Sequence, residues 1–286
     1  MLSISLGPMA LPVAPLLLLL AVWIASWTST KLSTRQHPDA ADAKDADAAD
    51  NTVFVAAGFG LLGARLAHLA SHAQPYLASP ASMLDLRDGG WDTLAGAVAG
   101  SAWLVWRGWR KPPFRRPLAF AAATGVLVWT AGTLFTGARD EATMPMTVLS
   151  TLEGGRPVDL RTAAAGRPVV VNLWASWCGP CRQEMPTLAE AQRRESTVGF
   201  LFVNQGESEL VIRAYLAGLG LPLREVLLDP GSKLGPAVGS QGLPTTLFYN
   251  ASGLLVDAHF GVLNPAALEA RLQALRASRK VSTSPT

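Results

Sequence analysis

Cysteine is nearly absent from this chain. The 286 residues include two cysteines, Cys178 and Cys181, with two residues between them. Two cysteines cannot build a disulfide framework. A bridge across so short a gap closes almost no loop entropy, which disfavours a purely structural disulfide. The pair therefore indicates either thiol–disulfide exchange with another protein or a metal site.

Histidine is also scarce, and its scarcity bears on metal binding. The chain has four histidines, and His259 is the only one after residue 140. A structural zinc site needs about four ligands, so two cysteines and one histidine are too few. We therefore expect no metal site and no cofactor beyond a redox-active disulfide between Cys178 and Cys181.

Net charge is low as well. The chain has 24 Lys and Arg against 21 Asp and Glu, a formal charge of +3. So small an excess predicts no nucleic-acid partner. Apolar residues, in contrast, make up 49% of the chain and the mean hydropathy is +0.25. These values direct attention to membrane spans.

Four apolar stretches fill the first 137 residues. A spanning helix needs roughly 20 apolar residues. The first and fourth stretches are uninterrupted, whereas the second and third contain Arg65, His68 and Asp92. We interpret the first as a retained span rather than a cleaved signal peptide, because no basic residue precedes Lys31. Residues 1–137 are thus predicted to be an all-α transmembrane region with helices at about 7–27, 52–70, 91–109 and 118–137.

Basic residues in the short loops predict the orientation of these spans. Cytoplasmic loops carry an excess of Lys and Arg. One basic loop follows the first predicted span and another separates the third from the fourth; their residues are Lys31, Arg35, Lys44, Arg110, Lys111, Arg115 and Arg116. Placing both loops in the cytoplasm puts the N-terminus and residues 138–286 outside it. We expect a multi-pass protein of a bacterial inner membrane with both of these parts in the periplasm.

Two local patterns in the membrane region invite other interpretations. The Asp- and Ala-rich stretch at 39–50 lacks the glycine and glutamate of a calcium loop, so a solvated linker is predicted. "GFGLLG" at 58–63 matches a dinucleotide-binding pattern, but it lies inside an apolar stretch rather than after a strand. Close helix packing through small residues explains it better.

From about residue 144 the sequence alternates strand and helix signals. Asn264 and Pro265 form a helix start signal, and Gly253 marks a hairpin turn. Such alternation predicts an α/β domain with a mixed central sheet flanked by helices. The predicted strands are 169–175, 199–205, 225–229, 245–250 and 254–260, and the predicted helices are about 179–194, 207–218 and 265–279.

The predicted helix at 179–194 places the cysteines at its N-terminus. Unpaired N–H groups and the helix dipole favour a thiolate at that position. Cys178 is therefore expected to be the attacking sulfur, and Cys181, one turn into the helix, to resolve the mixed disulfide. Pro180 holds the turn between the two cysteines.

Two motifs now carry a family resemblance. "WASWCGPC" together with "GLPTT" at 242–246 resembles the thioredoxin superfamily. "CRQEMP" and Asn172, six residues before Cys178, resemble its membrane-anchored TlpA/ResA-like branch over about residues 144–279. The resemblance implies a thioredoxin fold and a cis peptide bond at Pro244, which would face the cysteines and leave a backbone edge for substrate.

The resemblance also implies roles for the residues around the pair. Glu184 would tune thiol ionisation and proton transfer; the alternative is a solvated glutamate that stabilises the first helical turn. Trp174 is expected to be core. The docking surface for a substrate protein is expected to comprise Trp177, Gly179, Pro180, Leu243 and Thr245.

The implied function is a membrane-anchored periplasmic thiol–disulfide oxidoreductase. Gly179-Pro180 resembles the dipeptide of thioredoxin, which lies at the reducing end of the family's range of potentials. The expected reaction is therefore reduction of oxidised envelope proteins, and apocytochrome c is one candidate. The alternatives are an oxidase or isomerase. The predicted spans contain no cysteine, so electrons would come from a transmembrane donor of the DsbD/CcdA type.

Residues 52–137 carry a second resemblance. Gly63, Arg65 and Leu66, followed by Gly89-Gly90, resemble the early part of prolipoprotein diacylglyceryl transferases (Lgt), although that family's histidine motif is missing. We expect a degenerate Lgt-like anchor in the phospholipid bilayer. Arg65 and His68 would hold a lipid headgroup or extend to the membrane surface. A lipid-binding or acyl-transferring protein with an accessory thioredoxin module is the alternative function.

Overall fold

A computed structural model describes residues 3–6, 9–36, 43–112, 115–137, 143–220 and 223–282. The chain divides into two compact units. The helical unit comprises Ala14–Ala73 and Gly90–Gly137. The other comprises Met1–Val13, Gln74–Gly89 and Ala138–Thr286.

Helices dominate the chain before residue 138. A short hairpin comes first, with β1 and β2 paired antiparallel. The first predicted span begins later than expected, at Val13, because Pro12 disfavours helical conformation in the residue before it. The elements are β1 (Ser3–Leu6), β2 (Met9–Pro12), α1 (Val13–Gln36), α2 (Ala43–Ser71), α3 (Ala73–Ala78), α4 (Thr93–Arg110) and α5 (Arg115–Gly137).

The predicted linker at 39–50 is wrong for most of its length. Residues 43–50 form the first turns of α2, and residues 39–42 lie outside the described residues. Alanine is the strongest helix former, and four of these eight residues are alanines. That preference outweighs the solvation of the aspartates, so α2 extends well before the apolar stretch.

Small residues bring α2 and α4 together. A Cβ added to Gly63 would lie 2.6 Å from the Cβ of Ala99, and one added to Gly60 would lie 3.1 Å from the carbonyl oxygen of Gly96. The interpretation of "GFGLLG" as a helix-packing pattern is therefore confirmed. Among the described residues, Asn51–Ser71 is the one helix long and apolar enough to cross a membrane by length and composition, and Leu16–Leu32 is a shorter apolar helix.

A seven-stranded mixed sheet organises the second unit. Its order is β4-β3-β7-β6-β5-β8-β9. The pairs β5/β6 and β6/β7 are parallel, and the others are antiparallel. The strands are β3 (Leu149–Thr151), β4 (Pro157–Val158), β5 (Val169–Trp174), β6 (Gly199–Gln205), β7 (Val226–Asp229), β8 (Thr245–Tyr249) and β9 (Leu255–Phe260).

Helices cover both faces of this sheet, and the result is the expected thioredoxin fold. Every residue of β5 and β6 is buried, as central strands require. Asn264 caps the last helix, since its Oδ1 accepts a hydrogen bond of 2.8 Å from the N–H of Ala267. The helices are α6 (Leu160–Ala164), α7 (Gly179–Arg194), α8 (Glu209–Leu219), α9 (Leu234–Ala237) and α10 (Pro265–Ser282).

One segment from the N-terminal half belongs to the same unit as the sheet. Residues 74–89, the connection between α2 and α4, form most of α3 and two 3-10 turns, Pro80–Leu84 and Leu86–Asp88. Tyr76 and Asp88 are fully buried within it. We call this stretch the latch segment, and the sequence did not predict its packing.

Candidate redox site

Cys178 and Cys181 form a disulfide at the N-terminus of α7. Strand β5 ends at Trp174, and a short loop leads from it to Cys178, the N-cap residue of the helix. The Cys178 sulfur accepts a hydrogen bond of 3.2 Å from the N–H of Cys181. Cys178 is 4% exposed and Cys181 is fully buried. The predicted placement of both sulfurs is confirmed, and only Cys178 reaches the surface.

The loop before Cys178 is fixed by a glutamate that the sequence did not single out. Glu207 accepts hydrogen bonds from the N–H of Ser176 at 2.7 Å and from Nδ2 of Asn204 at 2.6 Å. The Ser176 hydroxyl also donates to it. A signal was available, because β5 and β6 are parallel neighbours and residues just after them meet at one edge of the sheet.

Glu184 is buried beneath the cysteines rather than solvated. Its side chain lies on the buried face of α7, one turn after Cys181. Oε1 accepts a hydrogen bond of 2.8 Å from Nδ2 of Asn172, and Oε2 accepts one of 2.9 Å from the N–H of Leu263. The alternative of a solvated first-turn glutamate is therefore wrong.

Burial also changes the acidity of Glu184. Desolvation raises its pKa from 4.5 to about 7, against the opposing effect of the hydrogen bonds from Leu263 and Asn172. Asn172 is itself held by Thr246, whose Oγ1 accepts a hydrogen bond of 3.0 Å. The site thus has a fixed acid that changes protonation near neutral pH.

Three residues expected at the docking surface lie beside Cys178 and are exposed. They are Gly179, Pro180 and Trp177, whose side chain is 69% exposed. Trp174 is fully buried, as expected, and its ring lies 5.6 Å from that of Tyr215. The structure therefore separates a surface tryptophan from a core tryptophan.

The segment around Pro244 lies partly or fully inside the domain. The Leu243–Pro244 peptide bond is cis, as the resemblance implies. Leu243 is partly buried and packs against the apolar cluster that contains both cysteines. Thr245 is fully buried, and its hydroxyl donates to the carbonyl of Gly242 at 2.8 Å. The Thr245 side chain is therefore inside the domain, not on the expected docking surface.

In the helical unit, Arg65 and His68 meet at Gly90. Nη1 of Arg65 donates to the Gly90 carbonyl at 2.9 Å, and a Cβ at Gly90 would lie 2.7 Å from the His68 ring. Arg65 is 6% exposed and its guanidinium lies 5.8 Å from the Trp91 ring centroid. The His68 ring stacks on that of His72 at 4.4 Å. Within the described residues Arg65 thus contacts protein rather than extending away from it.

Two family models match adjacent parts of the chain. The model described as Redoxin matches residues 139–272. The model described as Prolipoprotein diacylglyceryl transferase matches residues 2–134. The two matches do not overlap.

Curated relatives match the part of the chain that contains the cysteines. The thiol-disulfide oxidoreductase ResA of Halalkalibacterium halodurans is 30% identical over 131 residues, 45% of this chain and 73% of the relative. The thiol:disulfide interchange protein DsbE of Pseudomonas fluorescens is 32% identical over 134 residues, 44% and 72% of the two chains. For HelX of Rhodobacter capsulatus the identity is 30% over 112 residues, and the chain spans 62% of that relative.

Solved structures also match. The exposed lipoprotein thioredoxin Etrx1 of Streptococcus pneumoniae superposes with a TM-score of 0.40 at 27% identity, covering 46% of this chain and 98% of that one.

Proposed function

Since this chain belongs to the family of thiol-disulfide oxidoreductases that includes ResA and DsbE, we propose that it reduces disulfides of other envelope proteins through Cys178 and Cys181. Both resemblances stated from the sequence are confirmed, the second by the match to prolipoprotein diacylglyceryl transferases. The observation that carries the proposal is the cysteine pair at the start of α7 with the buried acid Glu184 one turn behind it.

The exchange balances within the pair and its substrate. In the reduced protein the Cys178 thiolate attacks a substrate disulfide, forming a mixed disulfide and releasing one substrate thiolate. Cys181 then attacks the Cys178 sulfur, which releases the second substrate thiol and closes the Cys178–Cys181 disulfide. Two electrons pass to the substrate, whose released sulfurs take up two protons.

Glu184 supports this sequence as a proton acceptor for the Cys181 thiol. Cys181 is fully buried, so its proton needs an acceptor inside the protein when Cys181 attacks. A general base works best when its pKa lies near the working pH, and burial raises the pKa of Glu184 to about 7. Asn172 and Leu263 hold its two oxygens in place.

Substrate would dock on the surface around Cys178. Trp177 offers a large exposed ring, and Gly179 and Pro180 leave the approach to the sulfur open. Leu243, which precedes the cis peptide bond, would offer backbone to an extended substrate segment.

For the membrane arrangement, we propose that α1, α2, α4 and α5 span the membrane with both termini in the periplasm. The chain is membrane-associated, given its match to an integral membrane enzyme family. The basic loops support the orientation. The latch segment packs in one unit with the redox domain, so the two lie on the same side of the membrane. This supports an even number of spans between them, α4 and α5.

Both outside partners follow from this arrangement. The whole chain contains no cysteine besides Cys178 and Cys181. Reducing equivalents must therefore reach the disulfide from a second protein, and we propose a transmembrane donor of the DsbD/CcdA type. The bilayer is the partner of the Lgt-like helices, where Arg65 and His68 would contact a phospholipid headgroup near Gly90.

Insulin-disulfide reduction by the detergent-solubilised full chain tests the function. Cys178→Ser is expected to abolish turnover, and Cys181→Ser to accumulate a mixed disulfide through Cys178. Glu184→Gln is expected to slow turnover, with Glu190→Gln, an exposed glutamate on the same helix, as its matched control. Turnover that survives Cys178→Ser would refute the proposal.

A further inference from the structure

The latch segment, residues 74–89, binds the redox domain through a buried aspartate. Asp88 is fully buried. Its Oδ2 accepts a hydrogen bond of 2.7 Å from the Tyr76 hydroxyl and one of 3.3 Å from Nδ2 of Asn264. Its backbone carbonyl accepts from Nη2 of Arg271 at 3.2 Å. A buried carboxyl group is costly unless such partners satisfy it, so this contact is specific.

The adjoining backbone fits the same surface of the redox domain closely. Gly89 has a positive φ of 70°, and a Cβ there would lie 3.2 Å from both the Arg271 guanidinium and Nδ1 of His259. Arg271 also pairs with Asp257 at 2.9 Å. The surface that receives the latch is thus formed by β9 and α10, and a side chain larger than glycine would disturb it.

Asp88 binds Asn264, and the residue before Asn264 binds Glu184. Asn264 uses both ends of its amide: Nδ2 donates to Asp88, and Oδ1 accepts from the N–H of Ala267 to cap α10. The preceding residue, Leu263, donates its N–H to Oε2 of Glu184. Two consecutive residues therefore join the latch to the acid beneath the cysteines.

We propose that the latch segment is a positioning device for the redox site, in which Asp88 fixes Asn264 and so aligns the Leu263 N–H with Glu184. Asp88 is a positioning residue, since it touches neither the cysteines nor a substrate. The proposal rests on the proposed role of Glu184. It assigns to the connection between α2 and α4 a function in disulfide chemistry.

The physical argument concerns the freedom of the β9–α10 loop. An asparagine amide bonded at both ends cannot flip without breaking both bonds. With Asp88 removed, Asn264 keeps its bond to Ala267 and an interaction with Asp85 but loses its bond to the buried Asp88. The loop therefore gains freedom at Leu263. The N–H of Leu263 favours the ionised form of Glu184, so a loosened loop leaves Glu184 harder to ionise.

Amide hydrogen exchange of the intact chain in detergent provides the first test. In Asp88→Ala, exchange at the Leu263 amide is expected to become about tenfold faster, the factor that corresponds to one buried hydrogen bond of ordinary strength. Asp88→Asn keeps an acceptor oxygen and is expected to retain most of the protection. Leu84→Ala, at a latch residue that is 86% exposed, is the matched control and should change nothing.

If Asp88→Ala does not accumulate, Asn264→Ser carries the same test. Serine still caps α10 through its hydroxyl but has no amide N–H for Asp88. Faster exchange at Leu263 with Ala267 still protected is expected. Unchanged exchange at Leu263, or equal acceleration throughout β5 and β6, would overturn the proposal, because the first shows no coupling and the second shows general destabilisation.

The pH profile of insulin reduction separates this proposal from the proposed function. The groups that face the Glu184 carboxyl are Asn172 on β5 and the Leu263 N–H, with Cys178 and Cys181 at the start of the same helix. Asp88→Ala is expected to shift the part of the pH–rate profile that depends on Glu184 to higher pH. In a protein that also carries Glu184→Gln, Asp88→Ala should cause no such shift. A profile insensitive to Glu184→Gln would refute the role of Glu184, whereas a shift with Glu184→Gln but none with Asp88→Ala would refute the latch.

Discussion

The carboxyl group of Glu184 and the backbone N–H of Leu263 are joined by a hydrogen bond of 2.9 Å across 79 positions of sequence. The bond connects helix α7, which begins at the cysteines, to the loop before α10. Asn172 on the central strand β5 binds the other carboxyl oxygen. The acid beneath the disulfide is thus held by two separate elements of the domain.

Glu184 is fully buried, and its burial predicts that the folded domain loses stability at high pH. Its pKa is about 7 in the folded protein against 4.5 as the reference value, so the folded state binds more protons between these values. Stability is therefore lost as pH rises from about 4.5 through 7, by up to roughly 3 kcal/mol. Glu184→Gln should lack this loss.

The loss of stability can be measured by unfolding the redox domain in urea, within the solubilised full chain, at pH 5 and pH 8.5. Pulsed proteolysis reports the unfolded fraction. Glu190→Gln, an exposed substitution on the same helix, should follow the wild type. Identical pH dependence in wild type and Glu184→Gln would contradict the account of this acid.

His259 is expected to lower the stability of the folded domain at low pH, the reverse of the pH dependence that Glu184 gives. Burial, together with the neighbouring Arg271, lowers its pKa from 6.5 to about 4, although the hydrogen bond to the Val262 carbonyl and the charges of Asp257 and Asp88 oppose the change. The unfolded chain therefore binds more protons than the folded one between these values. Stability should fall as pH decreases from about 6.5 to 4, by up to roughly 3 kcal/mol.

The same unfolding assay between pH 7 and pH 4 compares wild type with His259→Gln. The variant should lose less stability on acidification, because its side chain cannot take up a proton. An equal loss in both proteins would show that His259 is already solvated or protonated when folded.

Much of the redox domain was predictable from the sequence. Five of the seven strands, β5 to β9, and the helix at 179–194 match the predicted bounds within one or two residues, since their apolar runs and the Cys178 N-cap are local signals. The cis Pro244 bond followed only from the family resemblance. Strands β3 and β4 were missed because strands of three and two residues show no periodicity.

The missed parts of the site depend on contacts between distant segments. Asn264 was correctly predicted as a cap, but its second bond, to Asp88, crosses 176 positions. Glu207 similarly supports Ser176 from a separate loop. Burial of Glu184 follows from the packing of α10 and its loop against α7, which composition and spacing alone do not determine.

The two tryptophans near the cysteines should respond differently to truncation. Trp177 is 69% exposed, so Trp177→Ala should change the free energy of unfolding by less than about 0.5 kcal/mol while raising KM for insulin several-fold. Trp174 is fully buried, and Trp174→Ala should cost about 3–5 kcal/mol. An unchanged KM in Trp177→Ala would remove Trp177 from the docking surface.

The proposed orientation predicts where Cys178 can be labelled. In Cys181→Ser, Cys178 is the only cysteine of the chain. After gentle reduction, a membrane-impermeant maleimide should label it in intact spheroplasts as fully as in permeabilised ones. Labelling only after permeabilisation would place the redox domain in the cytoplasm and reverse the topology.

The reduction potential of the Cys178–Cys181 pair tests the central claim most directly. The solubilised full chain would be equilibrated with glutathione or dithiothreitol buffers and its thiols trapped. A reducing role predicts a potential near that of thioredoxin, about −270 mV. A value near about −120 mV, typical of strong oxidants, would contradict it and make the protein a donor of disulfides.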